Sequence, residues 1–256
     1  MRYKHKELIK LCGRAIHAWG MIRPGERVAV AVSGGKDSLS LLWLLVERRR
    51  RVPIDYELVA LHVQMGFEHV DSQAIGDWCS KLGVEFVTRS TDIGPRAHSP
   101  ENRSSSPCFF CAMHRRRELF EMCAETGCST LALGHHQDDV FETLLMNMFF
   151  SGYIGTMKPV QPLFRGRLRL IRPLILATAS HTRSFAKAMN LPVQPPCCPS
   201  AGNTNRAFMG RVLREILSSN PKARANLWHA ITHSGLWCAP GPIPGKARWR
   251  KGGRGT

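Results

Sequence analysis

Two hydrophobic rhythms alternate along the chain. Residues 5–22 place Leu8, Ile9, Leu11, Ile16 and Trp19 at helical spacing among basic residues and predict an N-terminal helix. The run from Arg27 to Val32 is short, apolar and rich in valine, which predicts a buried strand. Two glycines follow, and then Leu39, Leu41, Leu42, Leu44 and Leu45 mark an amphipathic helix. Glu57–Val63 predicts a second buried strand, Gln73–Leu82 a helix and Val84–Arg89 a third strand. Residues 90–107 are polar, with Pro, Gly and Ser, and predict a long loop. Beyond it come a helix over Arg116–Thr126, a fourth strand over Ser129–Gly134 and a strongly apolar helix over Asp138–Phe150. An extended segment at Leu168–Leu174 and a helix over Thr182–Met189 complete the series. Strands and helices alternating through short connections imply an α/β fold with a doubly wound parallel sheet. The division expected is an N-terminal helix (1–22), one domain (23–235) and a basic flexible tail (236–256), without internal repeats.

The junction of the first strand and its helix carries the strongest chemical signal. Ser33-Gly34-Gly35-Lys36-Asp37-Ser38 joins a strand end to a helix start. Such a turn points backbone N–H groups outward, places the positive end of the helix dipole there and lacks the Cβ atoms that would block an approaching anion. It is not a Walker A loop, because Val30 stands where that motif needs glycine and Asp37 where it needs Ser or Thr. Nor is it a dinucleotide fingerprint, since no G-x-G-x-x-G is present. A second strand end carries Gly134-His135-His136-Gln137-Asp138-Asp139, and the two turns are placed to converge on one nucleotide. Asp138 and Asp139 have two readings: a helix cap with a dipole partner, or carboxylates that approach a triphosphate through Mg²⁺. Asp37 raises the same question, because an unpaired negative charge in an anion loop would repel phosphate.

Charge then narrows the partner. The chain of 256 residues has a net charge of +17 and a pI near 10.1. Its cations cluster at Arg48–Arg51, His114–Arg117 and Lys246–Arg254, which points to nucleic acid as a polyanionic partner. No apolar run reaches the ~18–20 residues of a membrane span, and the basic N-terminus has no apolar core of a signal peptide, so a cytoplasmic protein is expected. Nine cysteines in that setting read as buried thiols and metal ligands rather than a disulfide framework. Cys108-Phe109-Phe110-Cys111 brings two thiols to one side of a turn at the start of an arginine-rich helix. The helix dipole with His114, Arg115 and Arg116 is expected to lower their pKa values. Cys197-Cys198 lies downstream in the Pro-rich segment LPVQPPCCPS and offers one further ligand. Three cysteines suit a [4Fe–4S] cluster with one iron free, whereas His114 would complete a Cys₃His zinc site, and both readings stay open. Cys12, Cys79, Cys123, Cys128 and Cys238 lack ligand spacing and read as small buried hydrophobes.

The loop SGGKDS resembles the pyrophosphate loop of the PP-loop ATPases. The whole order (SGGKDS, C-x-x-C followed by arginines, GHHQDD with ETLLMNMFFSG, IRPL, then a cysteine before NTNR) resembles the iron–sulfur-dependent tRNA 2-thiocytidine synthetases over about residues 5–235. The resemblance implies an adenine-nucleotide α-hydrolase-like domain. It implies that Ser33, Gly34, Gly35, Lys36, Asp37 and Ser38 hold the pyrophosphate of ATP, and that the adenine lies against the end of the strand at Leu61, His62 and Val63. Gly134 and His135 would complete that site, with Mg²⁺ near Asp37 and Asp138 or Asp139. Cys108, Cys111 and Cys198 would hold the [4Fe–4S] cluster, with Cys197 the fallback for the third. The implied reaction adenylates a cytidine oxygen of the anticodon loop and replaces it with sulfur, Asp37 and the three cysteines being the catalytic set. The partners are tRNA and a sulfur donor such as a cysteine desulfurase, and a homodimer is compatible with the resemblance. Two other classes remain at this point: a PP-loop sulfurtransferase or desulfidase acting on another base, and a zinc-dependent RNA-binding protein.

Overall fold

The computed structural model describes residues 3–67, 71–102, 106–195, 197–202 and 204–237. Cys238 and the tract Lys246–Arg254 lie outside these residues, as does most of the expected tail. The helices are α1 (Tyr3–Ala18), α2 (Lys36–Arg51), α3 (Ser72–Lys81), α4 (Ile93–Ala97), α5 (Pro107–Glu125), α6 (Gln137–Phe150), α7 (Ala179–Ala188), α8 (Asn205–Ser219) and α9 (Ala223–His233). The strands are β1 (Glu26–Ala31), β2 (Tyr56–Gln64), β3 (Glu85–Ser90), β4 (Thr130–Ala132), β5 (Val160–Leu163) and β6 (Leu168–Ile171). They form one sheet in the order β3-β2-β1-β4-β6-β5. All neighbours run parallel except β5, which pairs antiparallel with β6 at the edge. The expected α/β doubly wound sheet is therefore present.

The valine and alanine alternation of β1 divides the core. Val28 and Val30 face a cluster with Leu41, Leu42, Leu45 and Phe185, under α1, α2 and α7. Ala29 faces the opposite cluster with Val59, Leu61, Leu119 and Met122, under α5. Successive residues of a strand point to opposite faces, so a continuous apolar run is what a strand covered on both sides requires. α1 joins the same core through Leu8, Cys12, Ala15 and Ile16. It stops at Ala18, short of the expected Ile22, because the chain turns at Gly20 with φ +53°. The expected loop over 90–107 contains the short helix α4. The expected helix at Arg116 starts nine residues earlier, with Ser106 as its N-cap and Pro107 in its first turn. β5, α8 and α9 are additions to the predicted series. Among the described residues no helix is long and apolar enough to cross a membrane.

An ion pair ties the N-terminal ends of three strands. Arg169 of β6 donates to both Glu26 oxygens at 2.6 and 2.9 Å, and Thr130 of β4 donates its hydroxyl to Glu26 at 2.5 Å. Burial alone would raise the Glu26 pKa, but these bonds and the Arg23 N–H hold it below the ordinary glutamate value. A carboxylate with a depressed folded pKa stabilises the fold above its unfolded value and loses that contribution as pH falls through the folded one. Glu26→Gln leaves a half-buried guanidinium without its carboxylate and should cost about 3 kcal/mol at pH 7. In urea unfolding the gap between wild type and variant should close as the pH drops below 4.5, the unfolded value. An equal gap at both pH values would refute the assignment.

Candidate active site at the carboxyl edge of the sheet

The anion loop is built by its serines and glycines. Ser38 Oγ accepts from the Ser33 N–H at 3.1 Å and donates to the Gly35 carbonyl at 3.0 Å, and Ser33 Oγ lies 3.2 Å from it. These bonds stitch the turn closed, so the N–H groups that open α2 are free to face a ligand. Gly34 sits at φ +79°, a conformation that favours glycine, and a Cβ there would stand 2.9 Å from Gln194 Cγ. Gly134 packs the start of α6 on the start of α2: a Cβ would stand 3.0 Å from both Asp37 C and Ser38 N. The two motif turns therefore touch, as their placement at neighbouring strand ends predicts.

Between them opens a cavity of about 690 Å³. From the candidate nucleotide residues it is lined by Ser33, Gly35, Lys36, Asp37, Ser38, His62, Val63, Gly134, His135 and Asp139. Cys108, Cys111, Cys197 and Cys198 line the same cavity. Gly34 lies in its wall behind Gln194, whose N–H donates to the Gly34 carbonyl at 2.9 Å. The backbone carrying the third cysteine is thus hydrogen-bonded to the phosphate loop itself. Sequence reasoning did not single out Gln194; its signal is a backbone N–H, which any residue but proline supplies.

The carboxylates separate into different tasks. Asp37 Oδ2 accepts from Lys36 Nζ at 2.6 Å, while Oδ1 is buried without a hydrogen bond among the described residues, with His136 Nε2 3.8 Å away. A buried carboxylate oxygen without a partner, facing a phosphate site, suits a divalent cation. Asp138 has both oxygens engaged, one by the Ala179 N–H at 2.6 Å and one by Arg224 at 2.7 Å. It braces α6 against α7 and α9. Asp139 closes a reciprocal cap with His136: its Oδ2 accepts from the His136 N–H at 2.9 Å, and His136 Nδ1 accepts from the Asp139 N–H. Its other oxygen accepts from Arg206 of α8 at 3.1 Å.

Two histidines have fixed tautomers. His62 is buried; Nδ1–H donates to the Val32 carbonyl at 2.7 Å, and Nε2 accepts from the Ser72 hydroxyl at 3.0 Å. Burial outweighs the Val32 bond and lowers its pKa, so it stays neutral and anchors the residue before the phosphate loop. His135 accepts at Nδ1 from Arg172 Nε at 3.3 Å. Burial, then Arg172, Arg206 and Arg115, push its pKa well below the ordinary value. A neutral ring accepting at Nδ1 carries its proton on Nε2, which leaves a donor for a ligand oxygen.

The thiols correct one expectation. Burial and the nearby Cys198 raise the pKa values of Cys108 and Cys111, against the pull of Arg206 on Cys108 and Arg115 on Cys111. The basic residues act in the expected direction and are outweighed. Mutual repulsion of three thiolates is what a bound cationic group relieves, so the donor set suits a metal centre. No group of three His, Cys, Asp or Glu among the described residues stands at the spacing of a single metal ion. His114 packs on Phe110 with ring centroids 4.2 Å apart and is not among the residues that line the cavity, so it is not brought to the cysteines as the fourth ligand of a Cys₃His zinc site. A larger group bridging Cys108, Cys111 and Cys198, such as a cluster, fits this donor set. Gly34→Ala tests the loop: strain of about 1–3 kcal/mol at a left-handed residue should weaken ATP binding roughly tenfold in calorimetry. Unchanged affinity would show that the loop does not need this turn.

Comparison with known proteins agrees with this geometry. The model of the PP-loop domain family matches residues 4–217. A tRNA-cytidine(32) 2-sulfurtransferase of Anaeromyxobacter sp. (strain K) is 36% identical over 231 residues, covering 89% of this chain and 79% of that protein. The protein of the same name from Geobacter sulfurreducens is 36% identical over 230 residues, 89% of this chain and 90% of its own length. Among solved structures, the U34-tRNA thiolase NcsA from Methanococcus maripaludis, determined with its [4Fe-4S] cluster, superposes with a TM-score of 0.72. It covers 90% of this chain and 80% of its own at 23% identity, a likeness of fold. With its phosphate loop and cysteines on one cavity, this chain belongs to the PP-loop tRNA-cytidine(32) 2-sulfurtransferase family.

Proposed function

We propose that the chain is an ATP-dependent tRNA sulfurtransferase that adenylates cytidine 32 of the anticodon loop and replaces its exocyclic oxygen with sulfur. The observation that carries this reading is the single cavity shared by the loop Ser33–Ser38 and the thiols of Cys108, Cys111 and Cys198. The oxygen that is adenylated and the carbon that sulfur attacks, with AMP leaving, are joined by one bond, so the two machineries must stand side by side. Cys108, Cys111 and Cys198 would hold a [4Fe–4S] cluster, which supplies when bound an iron with an open position and Lewis acidity toward sulfur. Asp37 would take Mg²⁺ on its unpartnered oxygen, and this frees Lys36 from Asp37 for the phosphates. The sulfur comes from a donor such as a cysteine desulfurase, and the work is done in the cytoplasm.

The residues divide the reaction. The loop N–H groups hold the β- and γ-phosphates, so pyrophosphate leaves from a site of positive potential. The base oxygen attacks the α-phosphorus and becomes the leaving group of an adenylyl ester. The neutral His135, with its proton on Nε2, is placed to donate to an oxygen on which charge develops. Arg115 and Arg206 compensate the anionic sulfur. The target base must leave its stack to enter the cavity, at a cost of a few kcal/mol that phosphate contacts offset.

Two substitutions separate the halves of the site. Asp37→Ala should reduce ATP-dependent thiolation at least a hundredfold, the order of loss on removing a transition-state charge partner, with iron content unchanged. Cys108→Ala should abolish iron binding and thiolation while ATP binding stays within about twofold of wild type. Full activity in Cys108→Ala, or stoichiometric zinc without iron in protein purified without oxygen, would overturn the cluster reading.

A further inference from the structure

The face of α5 beside the cysteines is divided into three stripes. Pro107, Cys108, Cys111, Ala112, Arg115 and Leu119 recur at helical spacing and line the cavity. Phe110 and His114 turn the other way, where Arg96 of α4 lies 5.9 Å from the Phe110 ring centre. Between these faces runs a third stripe of Phe109, Met113 and Arg116, spaced i, i+4, i+7. Phe109 is 61% exposed and Met113 48%, and Arg116 is exposed as well. Further along the same side, Phe120 is closed off by Phe164 in an edge-to-face contact. The stripe is therefore open only where it borders the mouth of the cavity.

An aromatic ring held in water costs free energy unless something covers it. Its surroundings say what kind of partner that is. Arg115, at the cavity wall, is repelled by Arg116 and Arg206, so cations converge here in excess of carboxylates. Another apolar patch, Phe149, Phe150, Tyr153 and Ile154, lies at the far end of α6, about 20 Å of helix away from the cavity, in a run without charge. The α5 stripe joins an exposed ring to guanidinium groups beside the cavity-lining Cys108 and Cys111, the combination by which proteins hold single-stranded nucleic acid. Phe208 of α8, 47% exposed with Arg211 5.8 Å from its ring centre, is a second ring–guanidinium pair, without cysteines beside it in sequence.

We infer that Phe109 is a stacking platform for a nucleobase of the tRNA anticodon loop and that Arg116 holds a neighbouring phosphate, seating the loop so that the target base enters the cavity beside Cys108. The inference rests on the proposed tRNA sulfurtransferase reading. A ring between the two cysteines replaces the stacking that the target base, or its neighbour, loses when the loop opens. Arg116, two turns along the same stripe, then sets the direction in which the strand leaves the mouth.

The test uses the full chain with its metal centre loaded and an unmodified tRNA transcript carrying cytidine 32, with binding read by fluorescence anisotropy. Phe109→Ala should weaken tRNA binding roughly 5- to 150-fold, the range of one base stacked on one ring, with iron content and ATP affinity unchanged. Phe109→Trp should restore binding, and Phe109→Leu should not. Arg116→Ser should lower the slope of log K against log salt by about 0.7, one phosphate contact fewer. Wild-type binding in Phe109→Ala, full rescue by Phe109→Leu, or loss of iron in Phe109→Ala would each overturn the stacking role. An unchanged salt slope in Arg116→Ser would overturn the phosphate contact. If the wild-type chain itself fails to bind the transcript, the sulfurtransferase reading falls, and the inference with it.

Discussion

The structure depends on a requirement for bare backbone at one point. Phosphate is held by N–H groups, and those groups are reachable only where no side chain stands in front of them. Gly34 and Gly35 meet that need at the end of β1, and Gly134 meets a second one by letting α6 start against the first turn of α2. The rest of the site is arranged around this contact. His62 fastens the residue before the loop, Ser33 and Ser38 hold its shape, and Gln194 ties the downstream cysteine segment to it.

Electrostatics divides labour across the cavity. On the phosphate side a lysine and the N-terminus of α2 face one carboxylate with a free oxygen. On the thiol side, guanidinium groups face sulfur atoms that repel one another. His135 stands between the two and is kept neutral by burial first and by the cations around it second, so it adds a donor without adding charge. A protonated histidine there would add to an already crowded set of positive charges. Arg172, bonded to His135 and to the Lys158 carbonyl, provides this control from inside the protein.

Much of this was legible in the sequence, for physical reasons that also explain what was missed. β1, β2 and α2 are continuous apolar or periodic runs whose burial is decided locally, so their pattern is their structure. The phosphate loop was legible because glycine at a strand–helix junction has few other uses. β5 was not legible, since Pro162 within Val-Gln-Pro-Leu argues against a strand and is tolerated here only because β5 is an edge. α4 was hidden by Gly94 and Pro95, which read as loop. α8 has Gly210 in its interior, a helix-weakening residue, with Glu142 Oε1 of α6 3.0 Å from where a Cβ would stand. The raised thiol pKa values were misread because local basic residues are visible in sequence, whereas Cys198 becomes a neighbour only through the fold. Asp138 read equally as a helix cap and as a carboxylate near Mg²⁺, and its partners Ala179 and Arg224 come from distant elements that the local sequence does not show.

The hydrogen bond from Gln194 to Gly34 has a consequence for how the protein would come to hold the proposed cluster. Cys111 and Cys198 are nearly ninety residues apart in sequence. Closing a chain segment of that length costs entropy, and in a small zinc domain the metal itself supplies the closure. Here the strap is fastened to the phosphate loop by a backbone hydrogen bond that needs no sulfur ligand. The proposed cluster would therefore meet a site whose backbone is already closed, and its loss would leave that closure in place.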